Sequence, residues 1–97
     1  MKKEKFNVFR HKKDGGIQEV EGYVITFPEP FDAHTFGVTK TSDGWMVIEF
    51  TTGLWIVMGT KTRREALALA HTRLQKYSID TLDAAIKRSK DASVNVR

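Results

Sequence analysis

Apolar positions recur with the short period of strands over the first sixty residues, and the period lengthens to that of a helix beyond Gly59. FNVFR (6–10) and IQEVEGYVITF (17–27) flank HKKDGG, whose Asp14-Gly15 pair supplies the positive φ of a tight hairpin turn. Val20, Tyr23 and Ile25 anchor the second strand, and Gly22 among them predicts a bulge or bend. Pro28 and Pro30 exclude a central strand, so the chain turns there and crosses the sheet edge. TFGVTK (35–40), WMVIEF (45–50) and LWIVMG (54–59) then give three more strands, separated by Asp/Gly and Thr/Gly turns. WMVIEF and LWIVMG are apolar on both faces. One face is therefore expected under helices. The other is either closed by the N-terminal hairpin or left as an interaction surface around Trp45 or Trp55.

Thr62-Arg63-Arg64-Glu65 has the form of a capping box, with the threonine hydroxyl accepting from the third helical N–H and Glu65 reaching back. Ala66, Leu67, Ala70, Leu74 and Tyr77 then fall on one stripe, with Arg64, His71 and Gln75 on the opposite flank. A shorter helix is predicted from Thr81 to about Lys90, capped by Asp80, with Leu82, Ala85 and Ile86 inward. Lys87, Arg88 and Lys90 at its end oppose the helix dipole favourably and need no ligand. The predicted fold class is α+β: an antiparallel meander of four or five strands, one main amphipathic helix and a shorter C-terminal helix. It forms a single domain over 1–90 with a short flexible tail over 91–97.

Composition changes this picture little. With 97 residues, 40% hydrophobic and 29% charged, the chain falls in the globular range and can bury a modest core unaided. The absence of cysteine excludes disulfides, thiolate zinc sites and a cysteine nucleophile. No apolar run of signal-peptide or membrane-span length follows the basic N-terminus, and a cytoplasmic location is expected.

Charge is more informative. The net +4 divides into +5 over residues 1–13, −6 over 14–60 and +5 over 61–97. Lys61, Arg63 and Arg64 stand in or beside a first helical turn, where the dipole disfavours cations. Such a cluster either meets an anion such as a phosphate or is a solvated cap with nothing bound. Elsewhere the chemistry is sparse. His11, His34 and His71 lack a paired ligand spacing, and Asp32 near His34 has no third ligand, so no metal or other cofactor is expected. Phosphate-loop, dinucleotide and nucleophile-elbow motifs are absent, and Glu19, Glu21, Glu29, Asp32 and Glu49 read as solvated positions; an enzyme is not expected. The basic start lacks the amphipathic helix that membrane-surface binding requires.

The segment GLWIVMGTKTRREALALAHTRL resembles the end of a double-stranded-RNA-binding domain, where a strand passes through glycine into a basic, alanine-rich helix. It is also similar to the arm-binding domains of phage integrases and to the strand-to-helix step of HicB-type antitoxins. The resemblance implies a small phage or mobile-element protein. In the integrase-like module the sheet face reads DNA, whereas WMVIEF and LWIVMG carry no Lys or Arg. Phosphate contact is therefore expected from Lys61, Arg63 and Arg64 together with Lys2, Lys3, Lys5, Lys12 and Lys13. The alternative is a protein-interaction module or homodimer using an aromatic sheet face around Trp45 and Trp55.

Overall fold

The computed structural model describes residues 3–9, 16–77, 79–88 and 94–95. Five strands, β1 (Glu4–Phe9), β2 (Ile17–Ile25), β3 (Phe36–Thr41), β4 (Gly44–Glu49) and β5 (Trp55–Thr60), precede α1 (Arg63–Lys76) and α2 (Ile79–Arg88). The sheet order is β1-β2-β3-β4-β5 with every neighbour antiparallel, which makes the protein an α+β meander. Because β2 and β3 are neighbours, the proline segment does not cross the sheet edge. It turns back through Phe31 N–H to the Pro28 carbonyl at 3.0 Å and His34 N–H to the Phe31 carbonyl at 3.1 Å. The Asp14-Gly15 turn lies outside the described residues.

Alternation along the strands sorts the core into two layers. Phe36, Val38, Val47 and Val57 point to one face, where Ala66, Ala70 and Leu74 of α1 and Phe27 and Phe31 of the proline segment cover them. The helix lies across β5, β4 and β3. On the other face Phe6 and Val8 of β1 pack against Met46, Ile48 and Phe50. Contact between β1 and β4, which are not neighbours, requires a coiled sheet, and the Phe6 and Phe50 rings stand 5.9 Å apart. The second apolar face is thus enclosed by the coiling of the sheet, with β1 still hydrogen-bonded to β2 along its edge.

Glycine permits the coil. A Cβ on Gly22 would stand 2.2 Å from the Val38 carbonyl oxygen, and one on Gly37 would stand 2.8 Å from the Phe6 ring. Gly22 makes room in an unbroken β2 and introduces no bulge. The irregularities lie instead in β5: Met46 faces Met58 while Trp45 faces Thr60, and Val47 faces Val57 while Ile48 faces Trp55. Gly59 and Ile56 are the extra residues, and Gly59 takes φ +93°.

Several side chains depart from the sequence reading. Tyr77 is 60% exposed because it is the extended C-cap of α1 (φ −97°, ψ 127°) and so leaves the helical stripe. His71 stacks on Phe27 at 5.8 Å, because the proline segment folds against α1. Helix α2 starts at Ile79, which puts Asp80 inside the first turn. Within the tail, Val94 and Asn95 have defined partners: Val94 N–H donates to the Thr51 carbonyl, and Asn95 bonds to Asn7 and Phe50.

Glu49 is not a solvated carboxylate. It is 4% exposed, and its two oxygens accept from Thr51 N–H at 3.0 Å and Thr52 N–H at 2.8 Å, which ties the β4–β5 turn. Glu49→Gln places an amide NH2 against one of these donors. It is expected to cost about 1–3 kcal/mol in urea unfolding, whereas the exposed Glu19→Gln leaves the midpoint unchanged.

Candidate functional site

The strand-to-helix step is built as the sequence implies. Thr62 is the N-cap, with φ −130° and ψ 157°, and its hydroxyl accepts from Glu65 N–H at 3.1 Å. Thr60 Oγ1 donates to the Thr62 carbonyl at 2.9 Å and so fixes the corner. Among the described residues no bond returns from Thr62 N–H to the Glu65 carboxylate, so only the threonine half of the capping box is made. Lys61, Arg63 and Arg64 are exposed, and none of the three has a carboxylate partner among the described residues. Arg63 lies over the Tyr23 ring of β2, its guanidinium carbon 4.8 Å from the ring centroid.

Register then adds a cation that sequence reasoning missed. Lys40 pairs with Trp45, and Trp45 pairs with Thr60, the residue before Lys61. Tyr23, which carries Arg63, pairs with Val38, one pleat from Lys40 on the same face. Lys5 joins them from β1, opposite Glu21, itself one pleat from Tyr23. Phe6, Val20 and Met46 point to the concave face, so Lys5, Glu21, Lys40 and Trp45 all project to the face that carries α1. Cations from β1, β3 and the α1 entrance thus frame two half-buried aromatic rings. Glu21, Asp43 and Glu65 lie among or beside them and moderate the positive potential. Of the remaining N-terminal cations, Lys3 is exposed beside β1, while Lys2, Lys12 and Lys13 lie outside the described residues.

The two tryptophans do not form one surface. Trp45 follows Gly44 at the start of β4 and faces the end of β5, whereas Trp55 begins β5 and faces Ile48 near the end of β4. Trp45 packs against the helix-side core, and Trp55 is 46% exposed at the opposite end of the sheet. His34, considered with Asp32 at the sequence level, pairs with Asp83 of α2 through Nε2 at 2.6 Å. Among the described residues no three His, Asp or Glu side chains form a metal-ligand set, and no helix is long and apolar enough to cross a membrane. No family model, curated protein or solved structure matches this chain.

Proposed function

We propose that the protein is a non-catalytic module that contacts nucleic-acid phosphates with the face framed by Lys40, Lys61, Arg63 and Arg64. The observation that carries this reading is the register Lys40↔Trp45↔Thr60, which sets the one Lys of the acidic middle segment beside the basic helix entrance. Cations in a first helical turn oppose the dipole, at about 0.3–1 kcal/mol each where exposed, and of the three only Arg63 has an offsetting contact among the described residues, with the Tyr23 ring. A polyanion offsets that cost: each neutralised phosphate releases counterions, and the free N–H groups at the helix start add donors. The strand-to-helix resemblance to nucleic-acid-binding modules of phages and mobile elements agrees with this reading. A protein partner on an aromatic sheet face has less support, because Trp45 and Trp55 stand at opposite ends of the sheet.

The test is fluorescence anisotropy with single-stranded and duplex DNA and RNA oligonucleotides across a salt series. Arg63→Glu combined with Arg64→Glu is expected to weaken binding about tenfold or more and to lower the salt slope by about two. Both side chains are exposed, and the favourable dipole interaction of two glutamates offsets the lost Arg63–Tyr23 contact, so the unfolding free energy stays within about 0.5 kcal/mol of the parent. Lys40→Glu alone should also weaken binding. Salt-insensitive binding, or full affinity in Lys40→Glu, counts against the assignment, and a salt-resistant dimer in place of binding favours the protein-interaction reading.

A further inference from the structure

A groove of about 460 Å³ lies between the β5 edge, the last turn of α1 and α2, away from the basic face. Trp55, Ile56, Leu74, Tyr77 and Leu82 give it apolar walls, and Arg73 is the one charged residue among the described residues that line it. The bulge at Ile56 presents a carbonyl to the groove side, and Arg73 Nη1 donates to it at 2.7 Å. That bond fixes the half-buried guanidinium against the wall. A guanidinium carries five N–H donors, of which the described hydrogen bonds use one, and no described carboxylate pairs with it. A cation flanked by apolar side chains attracts an anion with less screening than one in open solvent.

We propose that this groove binds a small amphiphile with an apolar body and a single carboxylate, of the class of a medium-chain fatty acid. The carboxylate accepts from the free edge of the Arg73 guanidinium, whose planar fork matches two oxygens. The chain lies against Trp55, Leu74 and Leu82. One cation in the lining suits a monoanion better than a phosphate dianion, and the volume falls in the range of about 300–1,000 Å³ typical of small-molecule sites. The outer wall can adjust, since α2 buries no residue fully and is held by Ile79 and Leu82 and by the His34–Asp83 contact.

Decanoate and its neutral counterpart decanol are the probes, titrated by calorimetry and by Trp55 fluorescence in a Trp45→Phe background. Decanoate is expected to bind one to one, about tenfold or more tighter than decanol. Arg73→Gln should reduce decanoate to the level of decanol, and Arg73→Lys should restore part of the difference. Because Arg73 also supports Ile56, Ala85→Phe provides an independent check: it fills the groove from α2 and should abolish decanoate binding with the circular dichroism spectrum unchanged. Equal affinity for both probes, or no saturable binding up to about 1 mM, overturns the proposal. So does a concentration-dependent dimer that buries Trp55 and excludes decanoate, which assigns the groove to a second copy of the chain.

Discussion

An alanine methyl at Gly22 is expected to destabilise the protein by about 3 kcal/mol, and the loss should persist when the Phe6 ring is shortened. The added carbon would stand 2.2 Å from the Val38 carbonyl oxygen, which is backbone of the adjacent strand and moves only if β2 and β3 part. Gly37 differs in its obstacle. Its added carbon would meet Phe6 Cε2 and Cζ, both at 2.8 Å, with Ile48 Cγ1 next at 3.3 Å. Phe6 is 3% exposed, so the ring has nowhere to swing. Gly37→Ala should therefore cost about 2–3 kcal/mol in the parent and less than about 1 kcal/mol in a Phe6→Leu background, which removes those two ring carbons. Urea unfolding of the three singles and two doubles distinguishes the sites: Gly22 close to additive with Phe6, because the Val38 carbonyl at 2.2 Å outweighs Phe6 Cζ at 3.0 Å, and Gly37 strongly non-additive. Additivity at both would mean that the ring is not what fills the space above Gly37, and the account of the coil would fail.

Those glycines mark where the sequence was legible and where it was not. Periodicity and turn chemistry locate all five strands and the capped helix, because each depends on neighbours within a few residues. The coil depends on Phe6 lying over Gly22 and Gly37 of two other strands, relations too distant along the chain to leave a local signature. Sequence alone therefore points to a bulge at Gly22, while the real bulges at Ile56 and Gly59 are concealed in the apolar run LWIVMG, which looks regular. The role of Glu49 is hidden for the same reason. A carboxylate in a strand reads as solvated until the turn beyond it is seen to direct two N–H groups at it.

The candidate site divides along the same line. Thr62 announces the helix start, and with it the exposure of Arg63 and Arg64. Lys40 could be placed only from the β3–β4 register, which the TSDG turn sets with Gly44 at φ +121°. Trp45 and Trp55 stand apart because antiparallel neighbours begin at opposite ends of a sheet. The groove was not legible at all: it follows from how α2 returns beside β5, and α2 touches the rest of the protein too lightly for its own pattern to specify that docking.

Asn95→Ala is expected to lower the unfolding free energy by about 2–3 kcal/mol and to expose the free edge of β1. The Asn95 amide uses both its donors and its oxygen: Oδ1 accepts from Asn7 N–H at 2.7 Å, and Nδ2 donates to the carbonyls of Asn7 at 2.7 Å and Phe50 at 2.8 Å. Asn7 reciprocates with Nδ2 to the Val94 carbonyl at 2.9 Å. One side chain thus pairs the outer edge of β1 and joins it to the end of β4 across the mouth of the coil. The opposite edge is protected differently, by the β5 bulges and by Arg73 on the Ile56 carbonyl. Only an amide offers one acceptor and two donors in this arrangement, so Asn95→Asp, which sets a carboxylate against two carbonyls, should cost at least as much as alanine. Hydrogen exchange separates this latch from the core beneath it. In Asn95→Ala the Asn7 amide should exchange at close to the unprotected rate, whereas the Val38 and Val47 amides should lose only the factor of about 30–150 that a global loss of about 2–3 kcal/mol gives, and stay protected. A bare edge also invites pairing between molecules, so light scattering should report self-association of the variant at concentrations where the parent does not associate. If Asn7 stays protected in Asn95→Ala, then Phe6 and Val8 hold β1 by burial alone, and the tail is a passenger on an edge that the concave core already closes.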